Sequence, residues 1–195
     1  MDFQEIRKLP AQQQLLAYRG LTNEDRRKIF HEFEAFHQPF MDKFYADNLG
    51  CSINRAATKD YDAILIPNSR ESRYQIEEKY RTSDFSQFLI EVIQDVSYPI
   101  QSENWIRKLG WFYTEKAEKL IDIICYNRAG IFTADKPNKV YVVDLPKLRG
   151  NLHILLKKGA NHSLQSSGKG SWYSLNIAID WEILLMNDIA QKYII

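Results

Sequence analysis

The sequence has few cysteines and no long apolar run, and these two absences limit the class of protein. Among 195 residues there are two cysteines, Cys51 and Cys125, and they form no C-x-x-C pair. Neither a zinc site nor a disulfide framework is therefore predicted. No window approaches the roughly 18 apolar residues that a membrane span needs, and the first residues, MDFQEIRKLP, lack the apolar run of a signal peptide. We expect a soluble, cytoplasmic protein that has no membrane contact.

Acidic residues are missing from one long segment of the chain. No Asp or Glu occurs from Leu145 to Ile179, although the whole chain has 25 acids. The cations of this segment are Lys147, Arg149, Lys157, Lys158 and Lys169. Such a local excess of positive charge, beside the Ser- and Gly-containing segment 161–170, suits contacts with nucleic-acid phosphates. The alternative interpretation is a mobile, solvated loop next to a basic helix.

No internal repeat or low-complexity tract divides the chain, and its length suits one domain with a core of its own. We predict a single domain over residues 1–195. It consists of a helical region over 1–50, a core over about 30–158, and a C-terminal strand and helix over 159–195.

Local signals predict most of the secondary structure. Thr22 begins a helix that Gly50 ends, and Pro39 either kinks this helix or starts a second one. The segment from Asp84 is also predicted as a helix, because its apolar residues recur at helical spacing. These residues are Phe85, Phe88, Leu89, Val92, Ile93 and Val96.

The remaining predicted elements alternate irregularly between strand and helix. Strands are predicted at 61–67, 73–81, 119–126, 140–144 and 171–179, and helices at 113–118, 146–158 and 181–193. Because this order is not a regular βαβ repeat, we expect a mixed α/β (α+β) fold in which helices flank a central mixed sheet.

The predicted strand RYQIEEKYR contains the residues that point to chemistry. In a strand, Ile76, Glu78 and Tyr80 face one side, and Glu77 and Lys79 face the other. Glu77-Glu78-Lys79 is the only Asp/Glu-x-Lys triplet in the chain. A solvated strand with a ladder of charge pairs is the alternative interpretation of this pattern.

Asp62 is the single acid in the apolar strand YDAILIP, 15 residues before Glu77. An acid in a buried strand is costly unless it is paired or binds a metal ion. If the two strands are neighbours in one sheet, Asp62 and Glu77 lie side by side. Their carboxylate oxygens are the ligands that Mg²⁺ prefers.

Asp62, the Glu77-x-Lys79 triplet and the predicted helix from Asp84 together resemble the PD-(D/E)xK nuclease superfamily, which has a restriction endonuclease-like fold and includes small phage and mobile-element proteins. A weaker likeness continues from GWFYTEKAEKLIDIICY to KVYVVDLPKLRGNL. The chain departs from the motif at Tyr61, where the family name has proline, and at Glu78, where an apolar residue is usual. Glu78 should therefore lie near a sheet edge or pair with a basic residue.

The resemblance implies hydrolysis of phosphodiester bonds, with DNA as the expected substrate and partner. Asp62 and Glu77 would bind Mg²⁺, with Mn²⁺ as an alternative ion, and Lys79 would orient the attacking water. Members of the family often add a carboxylate from a preceding helix, and here Glu32 and Glu34 both remain candidates. A homodimer, a catalytically inactive protein that binds nucleic acid or a protein partner, and a plain globular domain remain open alternatives.

Overall fold

The computed structural model describes residues 1–55, 61–69, 72–96, 106–158, 161–166 and 173–195, and these residues form two compact units. The first unit contains Met1–Asp84, Lys119–Val142 and Lys192–Ile195. The second contains Phe85–Glu118 and Val143–Gln191. The single-domain organisation of the chain stays a prediction.

A six-stranded mixed sheet forms the centre of the fold. Its strands are β1 (Cys51–Asn54), β2 (Ala63–Pro67), β3 (Tyr74–Arg81), β6 (Lys119–Ile124), β7 (Lys139–Asp144) and β10 (Ala190–Ile194). They run in the order β1-β2-β3-β6-β7-β10. The strand β2 is antiparallel to both β1 and β3, whereas β3 and β6 are parallel. The prediction of a mixed α/β fold with a central mixed sheet is therefore confirmed.

Three helices precede this sheet in the chain: α1 (Phe3–Arg7), α2 (Ala11–Gly20) and α3 (Asn23–Leu49). The hydroxyl of Thr22 accepts the Asp25 N–H at 3.1 Å, and Gly50 ends α3 with a positive φ of 59°. Both ends of α3 were predicted. Pro39 is exposed inside one continuous helix, on the side where water can bind the carbonyl that proline leaves unpaired.

The core of the first unit lies between these helices and one face of the sheet. Buried residues of α3 contact apolar side chains of β2, β3 and β6 in one cluster. From α3 these are Ile29, Phe33, Met41, Phe44 and Tyr45, and from the strands Ala63, Leu65, Ile76, Tyr80, Ile121 and Ile123. Among the described residues, no helix has the length and apolar composition needed to cross a membrane.

The second unit contains a four-stranded antiparallel sheet. Its strands are β4 (Gln87–Val96), β5 (Ile106–Leu109), β8 (Asn161–Ser166) and β9 (Tyr173–Asp180). They run in the order β5-β4-β9-β8. Its helices are α4 (Trp111–Thr114), α5 (Leu145–Lys157) and α6 (Trp181–Met186). The prediction of α5 is confirmed, and the Asp144 carboxylate begins it by accepting the Lys147 N–H at 2.9 Å.

The predicted helix from Asp84 is wrong, because Gln87–Val96 forms β4. The segment also fits a strand pattern, since Phe88, Ile90 and Val92 alternate and are buried. A register shift in the pairing with β9 between Glu91 and Ile93 lets Ile93 be buried directly after Val92. The sequence of this segment fits the period of a helix and the period of a strand equally well. Its pairing with β5 on one side and β9 on the other therefore determined that it forms a strand.

Two predictions near the C-terminal end also need correction. Residues 161–166 form β8, where a loop was expected, and the rest of that predicted loop lies outside the described residues. The helix expected over 181–193 ends at Met186, and β10 follows it. The turn between them includes Asp188 with a positive φ of 52°.

Candidate functional site

The pairing of β2 with β3 brings Asp62 against the backbone of β3. Ala63 pairs with Ile76, and Asp62 lies one residue before this end of the ladder. The Asp62 N–H donates to the Ile76 carbonyl at 2.9 Å. In return, Asp62 Oδ2 accepts the Glu78 N–H at 2.8 Å. Asp62 therefore lies just before β2, and the backbone of β3 holds its carboxylate.

The side chains of β3 alternate between two faces, as predicted. Ile76, Glu78 and Tyr80 are buried on the face toward α3, while Glu77 and Lys79 are only partly buried on the opposite face. The Lys79 ammonium forms an ion pair with Glu77 Oε1. Residues two apart on one face of a strand are direct neighbours, so this contact follows from the pleat.

Asp122 is an acid of this face that the sequence reasoning missed. In the parallel register of β3 and β6 it pairs with Lys79, and its Oδ1 accepts from Arg81 Nε at 2.8 Å. Burial raises the pKa of Asp122, and the charges of Arg81 and Lys79 oppose that rise. The signal was present in KLIDII, where one acid interrupts an apolar strand in the same way that Asp62 interrupts YDAILIP.

Glu78 forms a buried ion pair, which agrees with the expectation that it pairs with a basic residue. Arg55 donates to Glu78 Oε2 at 2.6 Å and to Oε1 at 3.3 Å. The Tyr45 hydroxyl donates to Oε1 at 2.5 Å, and Arg55 also binds Asp42. Burial acts to lower the pKa of Arg55, but the hydrogen bonds and charge of Glu78 outweigh it and raise that pKa. Protein groups therefore bind both oxygens of Glu78.

A cavity of about 150 Å³ lies beside Asp62 on the α3 side of the sheet. It is lined by Glu34, Gln38, Arg55, Asp62, Glu78 and Tyr80. The Tyr80 hydroxyl is buried there with no hydrogen-bond partner among the described residues, and burial raises its pKa together with the charge of Glu78. A buried hydroxyl without a partner is costly, so the cavity contains an unused polar group.

Of the two helical carboxylates, Glu34 is the one beside Asp62. It lines the same cavity, and burial raises its pKa, with a further rise from the Asp62 charge and opposing effects from His31 and Lys79. Glu32 has a different contact, because its Oε2 accepts the Phe3 N–H at 2.9 Å at the start of α1. Glu34 therefore lies beside Asp62 and Glu32 contacts α1, and the role of either as a ligand stays a prediction.

The donor chemistry of Asp62 and Glu77 fits a hard divalent cation. Mg²⁺ is commonly bound through one or two protein carboxylates, with water and substrate phosphate completing its coordination. Within the described ranges, no group of three or more His, Cys, Asp or Glu side chains is arranged to hold a metal ion. The Asp62 carboxylate accepts the Glu78 N–H and lines the cavity on the α3 side, whereas Glu77 lies on the opposite face of β3 and pairs with Lys79.

The cations predicted to bind nucleic acid lie on and after α5 in the second unit. Lys147 Nζ donates to the Asp188 carbonyl, and Lys158 Nζ to Asn187 Oδ1, each at 2.9 Å. Lys157 is exposed, and Lys169 lies outside the described residues. The first and last cations of the predicted helix therefore also contact the turn after α6.

Arg149 serves a structural contact within the same unit. Its guanidinium donates to the Phe112 carbonyl at 2.7 Å and to the Glu115 carbonyl at 2.8 Å. It also lies over the Phe112 ring, 5.7 Å from the centroid. Burial lowers the pKa of Arg149. Arg149 therefore links α5 to the short helix α4 and its C-terminal cap.

Comparison with protein-family models and with curated proteins finds no match for this sequence. Comparison with solved structures finds the restriction endonuclease BglI bound to its DNA recognition sequence. That match has a TM-score of 0.41 and 10% sequence identity, and it covers 80% of this chain and 69% of the other.

Proposed function

We propose that the protein is a Mg²⁺-dependent nuclease that hydrolyses phosphodiester bonds, with DNA as its substrate. The observation that supports this proposal is the pairing of β2 with β3, in which the Asp62 carboxylate accepts the Glu78 N–H, between Glu77 and Lys79 in the chain. An acid that lies 15 residues before Glu77 in the sequence thus contacts the backbone of the segment that contains Glu77 and Lys79. Carboxylate ligands for a divalent cation and a cation beside them suit phosphoryl chemistry.

In this proposal, Asp62 and Glu77 hold the ion, and Mn²⁺ can replace Mg²⁺. The bound ion would polarise the phosphate and stabilise charge on the leaving oxygen. The Glu78 N–H orients the Asp62 carboxylate through the 2.8 Å hydrogen bond. Lys79 orients the attacking water and favours its deprotonation through its positive charge.

Glu34 is proposed as a further acid of the same site. Support comes from the cavity that it lines with Asp62 and from the effect of the Asp62 charge on its pKa. Among the charges that act on Glu34, the Asp62 carboxylate raises this pKa and the Lys79 ammonium lowers it. A cation bound next to Asp62 would favour the ionised form of Glu34.

A second candidate function is a catalytically inactive protein that binds nucleic acid or a protein partner. The ion pair between Lys79 and Glu77 favours it, because an ammonium on a carboxylate supports the sheet without any metal ion. In this case the charged face of β3 is structural. DNA binding would then depend steeply on salt and would occur without cleavage.

Cleavage assays with plasmid, single-stranded and branched DNA in MgCl₂ test the first candidate. We expect Lys79→Ala to cut at least about 100-fold more slowly, the lower end of the usual contribution of a positioned acid–base group. EDTA should abolish cutting in all proteins. Lys43→Ala is the matched control, because Lys43 is an exposed lysine of α3.

Two results would contradict the catalytic assignment. Wild-type protein that cuts none of the three substrates rules out the nuclease, and an unimpaired Lys79→Ala variant rules out the role of Lys79. Binding of the same DNA without cleavage, weakened by added salt, would support the second candidate.

A further inference from the structure

A second pocket lies where α2 ends and α3 begins. It has a volume of about 390 Å³ and is lined by Tyr18, Asn23, Arg26, Arg27, Phe30 and His31. Arg27 and Asn23 are exposed, whereas the two aromatic rings are half-buried. The described lining residues thus combine two guanidinium groups with two aromatic rings and include no acid.

The walls of this pocket are held in place by contacts outside it. Arg26 donates from Nε to the Leu21 carbonyl at 3.1 Å and from Nη2 to the Arg19 carbonyl at 2.8 Å. The Tyr18 ring packs against Phe132 at 5.3 Å between ring centroids. Phe30 packs against Phe33 at 5.5 Å. Because these groups are already ordered, a ligand would lose little conformational entropy in ordering them.

The pocket and the Asp62 cavity lie along one stripe of α3. Arg27, His31, Glu34 and Gln38 follow at intervals of four, three and four residues, which gives one face of a helix. The first two line the pocket and the last two line the cavity. His31 Nδ1 and Glu34 Oε2 are 3.0 Å apart, so the two sites meet at a hydrogen bond.

We propose that this pocket binds one nucleotide of a nucleic-acid strand. Arg27 and Arg26 contact a phosphate, and the rings of Tyr18 and Phe30 contact the base or sugar. Guanidinium groups bind phosphate with defined geometry, and aromatic rings bind bases without sequence preference. An anionic ligand without a flat apolar part would leave the two rings unused.

The position of this nucleotide relative to the scissile phosphate rests on the proposed function. Along α3, the rise from Arg27 to Glu34 is about 10 Å. A nucleotide bound there would lie within a few positions of the bond at Asp62, and the pocket would fix where along the strand cleavage occurs.

Binding of a fluorescein-labelled single strand of about 12 nucleotides, measured by anisotropy in EDTA, tests the pocket without catalysis. Arg27→Ala should weaken binding about tenfold and reduce the salt slope of log K by about 0.7, the value for one lost phosphate contact. Lys28→Ala is the matched control, because it removes an exposed charge from the next position, which lies off the stripe. It should weaken binding less than about twofold.

Equal losses in Arg27→Ala and Lys28→Ala would mean that surface charge alone attracts the strand, and would overturn the pocket. So would an Arg27→Ala variant that binds as tightly as wild type. Thermal unfolding of each variant checks the fold, and Arg27→Lys should recover part of the affinity because it restores the charge.

Two further ligands test the class of the bound molecule. An abasic strand of the same length should bind the wild type at least about fivefold more weakly, since stacking on aromatic rings contributes that much per base. Equal binding would exclude a base contact. Polyglutamate that competes as well as the strand would show that the pocket selects acidic chains, and would overturn the assignment to nucleic acid.

Asp62→Asn separates this proposal from the proposed function. This variant should bind the labelled strand as wild type does in EDTA, yet should not cut DNA in MgCl₂. Strand binding that depends on Arg27 in a protein that never cuts supports the pocket and contradicts the nuclease. Cleavage that Arg27→Ala leaves unchanged, with unchanged binding, contradicts the pocket alone.

Discussion

On the two faces of β3, neighbouring glutamates have different surroundings. The Glu78 side chain is 4% exposed, and Arg55 and Tyr45 bind its two oxygens. On the other face, the Glu77 side chain is 13% exposed, and its partner Lys79 is 36% exposed. One carboxylate is enclosed by protein groups, and the other pairs with a cation that solvent and ligands can reach.

This difference indicates which property each face controls. A buried charge whose partners are all internal affects the free energy of unfolding, because removing one partner leaves the other charge uncompensated. The partly exposed Lys79 can be solvated when its partner is lost, so this pair should matter less to stability than the buried pair of Glu78 and remains available for an ion or a substrate. Substitutions on the two faces of β3 should therefore separate stability from activity.

The largest expected effect is on the buried face. Arg55→Met removes the partner of Glu78 and keeps an unbranched apolar side chain near Asp42. We expect the free energy of unfolding to fall by about 3–5 kcal/mol, the usual cost of leaving one member of a buried pair unpaired. Urea denaturation followed by circular dichroism measures it.

Arg73→Met is the matched control, because Arg73 is exposed just before β3. Its effect should stay within about 0.5 kcal/mol. The double variant Arg55→Met with Glu78→Gln should recover part of the loss, since the unpaired charge is gone. A cost below about 1 kcal/mol for Arg55→Met would mean that water or another group compensates Glu78, and the contrast between the two faces would fail.

The next effect is on the partly exposed face. Glu77→Gln should lower the free energy of unfolding less than Arg55→Met does without metal, because its partner Lys79 is partly exposed and can be solvated. Cleavage in MgCl₂ should fall at least about 100-fold, since a ligand oxygen with full charge is lost. A variant that is strongly destabilised but still cuts DNA would reverse the roles of the two glutamates.

Some features of β3 could be predicted from the sequence, and others could not. The alternation of β3 follows from a period-two pattern that is local in the chain. The partners of Glu78 do not, because Tyr45 and Arg55 lie on α3 and just after β1 and meet β3 only after folding. A buried Glu therefore predicts a partner, but not which one.

The same limit explains the error in β4. Thr22 and Gly50 mark the ends of α3 by contacts with their own neighbours, and both were predicted. The segment from Gln87 satisfies helix and strand periods alike, and its partner begins at Asp180, far along the chain. In such a case, pairing with distant strands overrides the local secondary-structure propensity. Asp122, by contrast, was visible as an acid inside an apolar strand.

The smallest expected effect concerns Glu34, which lies beside Asp62 at the cavity. Burial raises the pKa of Glu34 above its ordinary value of 4.5. Its contribution to stability is therefore fully present below pH 4.5 and is lost as pH rises through the raised pKa. Relative to wild type, Glu34→Gln should gain stability over that interval. Unfolding by urea at a series of pH values measures the difference.

Added Mg²⁺ tests whether Glu34 contributes to binding of a metal ion. An ion that binds the folded protein raises its free energy of unfolding in proportion to the logarithm of ion concentration over Kd. If Glu34 contributes to the site of Asp62 and Glu77, MgCl₂ should stabilise Glu34→Gln less than wild type at pH 7. Glu32→Gln is the matched control, because its carboxylate binds the Phe3 N–H, and it should respond as wild type does. Equal responses of all three proteins would remove Glu34 from the site and leave only the β3 face and Asp62 to bind the ion.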